Sequence, residues 1–185
     1  MAEESRKTVE LTDPRALRAL AHPTRLALVG LLRREGALTA TQAAGRVGES
    51  LASCSFHLRQ LARWGLVEEA GGGRGRERPW RATAFFTSWK ATAETAEAAA
   101  LLGGTIAARW LEQLAGWFER MPDEPAEWRD SHQLGDIVVH LTPEELAEVG
   151  RRISKLLTAF DLDRRPEGSR PVMLLYAGYP RDDTG

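Results

Sequence analysis

The chain has 185 residues, enough for one domain and a second smaller one, and 43% of them are hydrophobic, enough for a core. No apolar run approaches the roughly 20 residues that span a bilayer, the polar N-terminus lacks the apolar region of a secretion signal, and a single cysteine excludes an internal disulfide. A cytoplasmic protein that does not insert into membranes is therefore expected.

The two halves of the chain differ in charge, although the net charge is only −1. Residues 1–90 hold 15 lysines and arginines against 9 acids, whereas residues 91–185 hold 10 against 17. A basic half next to an acidic half is typical of a polyanion-binding module joined to a region with another role.

Two short helices are predicted after a polar tail at residues 1–12. Asp13 followed by Pro14 is an N-cap with proline at the first helical position, which starts a helix that ends near residue 20. His22 and Pro23 start the next helix, and the glycine at position 36 ends it.

The next two helices are marked by their caps. Thr39 and Gln42 have the spacing of a capping box for a third helix that runs to about residue 47. Ser50 is placed to cap a fourth helix, which ends at Gly65. One apolar stripe along this fourth helix is predicted to anchor it in the core, and its members are Leu51, Cys54, Leu58 and Leu61.

A β-hairpin is predicted after the fourth helix. Residues 66–69 and 80–83 are short strand-like segments, and residues 71–79 between them are rich in glycine and arginine. Either the arginines of this loop contact DNA, or the loop is a solvated flexible connection.

The second half is predicted to contain a long helix and a small α+β module. The helix covers residues 88–121, with a glycine pair at residues 103–104 as the place for a kink or a break. Strands are predicted at residues 136–141 and within residues 171–179, and a helix that starts with a capping box at residues 142–145 lies between them. The large apolar residues of the long helix recur at helical spacing and are Ile106, Trp110, Leu114, Trp117 and Met121.

Four helices and a hairpin in this order predict a winged helix-turn-helix that binds duplex DNA. The fourth helix has the two faces that a recognition helix needs, an apolar anchor and an outward arc of small and polar side chains that can enter the major groove. Arginines on the hairpin can contact phosphates or the minor groove. The predicted DNA contacts are Thr39, Thr41, Gln42, Ser50, Ser53, Ser55, Phe56, His57, Arg59, Gln60, Arg74, Arg76 and Arg78.

Two of these residues have alternative roles. Phe56 either meets a thymine methyl group or packs on a neighbouring domain. His57 either touches a phosphate or braces the turn of the helix.

Residues 13–85 resemble the ArsR-type (arsenical-resistance regulator) winged-helix family. The resemblance rests on AHPTR at residues 21–25, S-x-H-L at residues 55–58 and GLV at residues 65–67, and it covers less than half of the chain. It implies a homodimer on a roughly palindromic operator, usually acting as a repressor.

The chain departs from that family at the start of the fourth helix. Metal sensors of the family often carry a Cys-x-Cys pair there, whereas residues 49–54 contain Cys54 alone. Arsenic or zinc sensing is therefore not implied by the resemblance. The outward positions Leu51, Ala52 and Phe56 are also more apolar than is common in the family.

No metal site, cofactor or catalytic role is predicted. Cys54 lies on the apolar stripe and is expected to be core, and His22 is expected to be structural. His132 and His140 flank Asp136, but this spacing fits no known metal pattern. No nucleophile–base signature or phosphate-binding glycine loop is present, so an enzyme is not expected.

Large aromatic residues are the main feature of the acidic half. Their spacing is that of core and dimer-interface packing on a long helix. The alternative is an aromatic-lined pocket for a small apolar effector. The candidate pocket residues are Trp89, Trp110, Leu114, Trp117 and Trp128.

The sequence thus predicts a mainly α (α+β) protein. A winged helix-turn-helix domain at residues 13–87 follows the tail at residues 1–12, and residues 88–185 form a dimerisation and effector region. The predicted function is a homodimeric transcriptional repressor whose operator affinity is changed by a small-molecule effector. The alternative is a regulator without a ligand, controlled by a protein partner that docks on the acidic half.

Overall fold

The computed structural model describes residues 8–71, 78–161 and 164–181. The chain forms two compact units, Met1–Gly116 and Trp117–Gly185. The hairpin residues Arg74 and Arg76 lie outside the described residues, so their predicted contacts with DNA stay predictions.

Four helices form as their start and stop signals predict: α1 (Pro14–Leu20), α2 (Pro23–Glu35), α3 (Ala40–Val47) and α4 (Leu51–Arg63). The Asp13 carboxylate caps α1 by accepting a hydrogen bond from the backbone N–H of Arg15 at 2.7 Å. Both hydrogen bonds of the predicted capping box at Thr39 and Gln42 are present at the start of α3. Gly48 has φ of +72° and ends α3 in the left-handed region, which favours glycine.

The core of the first unit lies where these helices and the following strand meet. Leu17, Leu28, Leu58 and Leu61 are fully buried, and Val67 continues the cluster beyond α4. Each helix contributes one apolar face, so the core fixes the orientation of α4 and leaves its opposite face exposed.

The predicted hairpin forms from β2 (Val67–Glu69) and β3 (Trp80–Ala82), which pair antiparallel with Glu69 opposite Trp80. Leu38, just before α3, exchanges two backbone hydrogen bonds with Trp80, at 3.0 and 2.7 Å. The hairpin is therefore tied to the start of α3, as in a winged helix-turn-helix.

Two short strands were not predicted. Residues 8–11 were assigned to a polar tail and residues 88–89 to a helix, but β1 (Thr8–Leu11) and β4 (Phe86–Trp89) pair in parallel. Both assignments were wrong because each strand has only four residues and its partner is far away in sequence. Burial of Leu11 and partial burial of Val9 give β1 its inward face.

Arg33 fixes the connection between the hairpin and β4. Its Nε donates to the carbonyl of Ala84 at 2.9 Å, and its Nη2 donates to the hydroxyl of Thr87 at 2.7 Å. Burial lowers the pKa of Arg33 to about 10, so it remains charged at neutral pH.

The long helix α5 (Ala96–Arg120) begins later than predicted and runs through Gly103 and Gly104 without a break. The Thr95 hydroxyl donates to the carbonyl of Lys90 at 2.6 Å and accepts from the backbone N–H of Thr92 at 2.9 Å. These bonds close the turn before the helix. Leu102 is fully buried, and Ile106 packs against the core of the first unit.

The second unit is less regular than predicted. After a 3₁₀ turn (Met121–Asp123) come α6 (Ala126–Asp130) and α7 (Pro143–Thr158), and the capping box of α7 forms as predicted. The strands predicted at residues 136–141 and within 171–179 were wrong, since both segments are irregular and exposed. Apolar runs specify a strand only when a neighbouring strand pairs with them.

In its described residues, the second unit is therefore helical rather than α+β. Over the same described parts of the chain, no helix is both long and apolar enough to cross a membrane.

Candidate nucleic-acid interface

The recognition helix α4 is capped and anchored by its own sequence. The Ser50 hydroxyl accepts a hydrogen bond from the backbone N–H of Ser53 at 3.1 Å, which satisfies one amide of the first turn. The buried face consists of Cys54, His57, Leu58 and Leu61.

The prediction that Leu51 anchors α4 in the core was wrong. Leu51 is 50% exposed, because the first turn of α4 extends past the core, and His57 occupies the buried position one turn after Cys54. A histidine was not expected there, because hydrophobicity alone marks the core in a helical pattern.

The outward face of α4 has the predicted composition. Arg59 is exposed, Ser55 and Gln60 are partly exposed, and Phe56 is 50% exposed with its ring edge against His57 at 5.3 Å between centroids. Ser50 is exposed as well, and Ser53 is partly so. The serine hydroxyls, the Arg59 cation and the Phe56 ring together can contact both phosphates and bases.

A crevice of about 450 Å³ lies where the hairpin meets the start of α3 and the outward face of α4. Two arginines, Arg59 from α4 and Arg78 from the hairpin, line it together with Ser55. The complete lining is Thr39, Ala40, Thr41, Ser55, Arg59, Glu69, Arg78 and Trp80.

The electrostatics of this crevice favour an anion held by exchangeable contacts. Arg78 donates to Glu69 at 3.0 Å, and the side chains are 73% and 47% exposed. An ion pair this exposed contributes little to stability, so a phosphate can replace the carboxylate at low cost. Arg81 and Glu68 form a second exposed pair across the hairpin at 2.8 Å.

The crevice brings together several residues that the sequence predicts as DNA contacts. Thr39, Thr41, Ser55, Arg59 and Arg78 were predicted contacts and line one space. Gln42 is exposed, but its side-chain oxygen accepts from the backbone N–H of Thr39. Glu69 and Trp80 were missed, because only the strand register places them beside α3.

His57 lies under this surface rather than on it. It is 9% exposed, and its ring centroid is 4.6 Å from that of His22. Of its two proposed roles, this position favours bracing the helix.

Cys54 is fully buried on α4. Burial raises the pKa of the Cys54 thiol, with Glu49 adding to the shift, so the thiol is neutral at physiological pH. Within the described ranges, three or more histidine, cysteine or acidic side chains never come together in a metal-binding group.

The tryptophans of the candidate effector pocket occupy several environments. Trp89 packs against the core of the first unit, and Trp110 and Leu114 are half-buried on α5. In the second unit, Trp117 lies 5.4 Å from the Arg120 guanidinium, and Trp128 lies 5.1 Å from that of Arg170. The effector pocket stays a prediction.

Comparison with known proteins supports the fold of the first unit. Residues 20–70 match the family of helix-turn-helix domains. No curated protein matches the chain.

Two solved structures are similar to the chain over most of its length. Wild-type apo MarR of E. coli is 14% identical with a TM-score of 0.35, covering 77% of this chain and 87% of that one. A MepR mutant of S. aureus bound to an oligodeoxyribonucleotide is 15% identical with a TM-score of 0.31, covering 78% and 86%. TM-scores this low do not establish a shared fold, so the assignment rests on residues 20–70 and on the helix and hairpin geometry. The chain carries a winged helix-turn-helix of the kind found in DNA-binding transcriptional regulators.

Proposed function

We propose that this protein is a sequence-specific transcriptional repressor of the ArsR type that binds duplex DNA as a homodimer in the cytoplasm. The observation that carries the proposal is the crevice of about 450 Å³, where Arg59, Ser55 and Arg78 converge beside the exposed face of α4. In such a complex α4 enters the major groove, and the hairpin lies along the adjacent backbone.

Phosphate contacts supply most of the affinity in this proposal. Arg59 and Arg78 are the cations that line the crevice, and Ser55 adds a hydroxyl between them and the groove. Arg74 and Arg76, which lie outside the described residues, are proposed as further phosphate contacts. Phe56 is exposed on α4, and the proposal assigns it to a thymine methyl group.

An exposed apolar stripe on α5 supports the homodimer. Leu101 is 53% and Leu111 68% exposed, and Gly104 and Ala108 lie on the same face between them. Their spacing of 3, 4 and 3 residues is that of a helix–helix seam. Ile106 packs against the core, so this stripe is the apolar face that α5 leaves for another molecule.

The stripe also suits a two-fold axis. If a second α5 crosses antiparallel between Gly104 and Ala108, Leu101 of each copy lies opposite Leu111 of the other. The small residues at the centre allow the helices to approach closely. A dimer of this kind would present two copies of α4 to successive major grooves about 34 Å apart.

Regulation by a small apolar effector forms part of the proposal, with Trp89, Trp110, Leu114, Trp117 and Trp128 as candidate contacts. Such a ligand must bind the DNA-competent and DNA-incompetent dimers with different affinity. Exposed apolar residues in the second unit, among them Ile137 at 82% and Val172 at 65%, favour the alternative of a protein partner. A thermal-shift screen of apolar compounds separates the two, because a ligand raises the melting temperature.

The proposed function is tested by fluorescence anisotropy with duplex DNA from upstream of the gene, over a range of salt concentrations. Arg59→Ala should weaken binding and lower the slope of log affinity against log salt by about 1, since one phosphate contact is lost. The matched control is Arg152→Ala, which removes the same charge from exposed α7 and should leave the slope unchanged. Binding that does not depend on salt, or no binding, would contradict the proposal.

A further inference from the structure

Two histidines meet at the junction of α2 and the recognition helix. His22 caps α2 through Nδ1, which accepts a hydrogen bond from the backbone N–H of Thr24 at 3.2 Å. His57 lies on the buried face of α4, and the two ring centroids are 4.6 Å apart. The pair therefore joins the first turn of α2 to the middle of α4.

The hydrogen bonding of each ring favours its neutral form. A proton on Nδ1 of His22 would point toward the N–H of Thr24 and remove the helix cap. Nδ1 of His57 is buried and has no hydrogen-bond partner among the described residues, so the doubly protonated ring would add a charge and leave an N–H donor there without an acceptor.

The surroundings also oppose a positive charge. In the described part of the chain, the other charged groups that act on the pair are Arg25 on α2 and Glu49 before α4. Burial lowers the pKa of His22 and Arg25 lowers it further, while Glu49 raises it.

For His57, burial is again the main cause of a lowered pKa, followed by His22 and Arg25, and Glu49 again opposes the shift. The Glu49 carboxylate also accepts a hydrogen bond from the Thr24 hydroxyl at 3.0 Å, which ties it to the first turn of α2.

We propose that the His22–His57 pair is a pH-sensitive joint that keeps the recognition helix docked on α2 only while both rings are neutral. Acidification then loosens α4 and weakens binding to DNA. This is opposite to the usual effect, in which protonated histidines strengthen binding to a polyanion. The effect on DNA rests on the proposed function, whereas the effect on stability does not.

The direction follows from proton linkage. The pKa of each imidazole in the folded protein lies below its ordinary value of 6.5, so the unfolded chain binds more protons as the pH falls below about 6.5. Stability contributed by the neutral pair is fully present above this value and is lost as the pH falls toward the folded-state pKa.

The test measures the melting temperature of the full chain at pH 7.5 and 5.5 in constant salt. The wild type should melt about 3–6 °C lower at pH 5.5. The double variant His22→Asn, His57→Phe keeps an N-cap side chain and an aromatic ring without a titrating group, and should lose at least half of that difference. His140→Gln, at an exposed histidine, is the control and should behave as the wild type.

A second measurement covers the case in which the double variant does not fold. In NMR spectra of the wild type, the imidazole protons of His22 and His57 should titrate below pH 6.5. In the folded variant His22→Asn, the imidazole protons of His57 should also titrate below pH 6.5. Titration of both rings at or above 6.5, or an unchanged pH dependence in a folded double variant, would overturn the joint.

Measuring the affinity for DNA at both pH values distinguishes a failure of the joint from a failure of the proposed function. Affinity of the wild type for the upstream duplex should fall about fivefold from pH 7.5 to 5.5, and that of the double variant should change less. Affinity that is constant or rises in acid would contradict the joint's role in binding. Absence of binding at both pH values, with the expected melting behaviour, would contradict the proposed function and support the joint.

Discussion

The two compact units use their apolar side chains in opposite ways. In the first unit, leucines from successive helices close on one another, and Leu17, Leu28 and Leu58 are fully buried. In the described residues of the second unit, large apolar side chains are exposed, with Ile137 at 82% and Leu156 at 63%. Burial within the chain therefore stabilises the first unit, whereas the second presents apolar surface of the kind that marks interaction sites.

The largest expected difference between the units is in the cost of truncating a leucine. Leu58→Ala should lower the free energy of unfolding by about 2–5 kcal/mol, because it leaves a cavity in the core. Leu156→Ala removes the same atoms from an exposed site and should cost less than about 0.5 kcal/mol. Urea unfolding followed by circular dichroism measures both. Equal losses would show that the second unit is packed as tightly as the first.

A second contrast concerns which exposed leucine is covered in a dimer. Leu111 on α5 and Leu134 in the second unit are each 68% exposed, so they form a matched pair. Leu111→Glu should weaken dimerisation about tenfold or more, since a carboxylate would be buried in the proposed seam. Leu134→Glu should leave the dimer intact. Sedimentation equilibrium measures the dimerisation of both variants. The reverse result would indicate that the dimer interface lies in the second unit.

The smallest expected difference compares two capping boxes that both begin with threonine. Thr39 and Thr142 each form a complete capping box, at the starts of α3 and α7. Thr39→Ala should cost about 1 kcal/mol of global stability, because α3 packs in the core unit. Thr142→Ala should fray α7 with no effect on the main unfolding transition. Amide exchange of both variants measures the local and global effects, and a shared global loss would mean that both units unfold together.

Local signals explain why the first unit could be predicted from sequence. Caps at Asp13, Thr39 and Ser50 and the turn glycine at position 48 act within a few residues, so the starts of α1, α3 and α4 and the end of α3 were visible in the sequence. The start of α5 was placed too early. The pairing of β1 with β4 joins segments more than 70 residues apart, and no local signal marks it. Leu51 and His57 show the limit of periodicity, since depth of burial depends on neighbouring elements.

The second unit could be predicted only where local signals dominate. The capping box at Thr142 and Glu145 specified the start of α7 correctly. The segments at residues 136–141 and 171–179 have the composition of strands, but a strand also needs a partner, and composition does not supply one. The crevice at the candidate interface could not be predicted for a related reason. The strand register brings Glu69 and Trp80 to it, and composition does not specify that register.

Photo-crosslinking tests whether the exposed face of α4 binds duplex DNA. Phe56 and Phe160 are 50% and 57% exposed, so each can be replaced in turn by p-benzoylphenylalanine with little disturbance of the fold. On irradiation with the upstream duplex, we expect a DNA adduct from position 56 and none from position 160. An adduct from position 160 alone, or none from position 56 while the DNA is bound, would contradict this expectation.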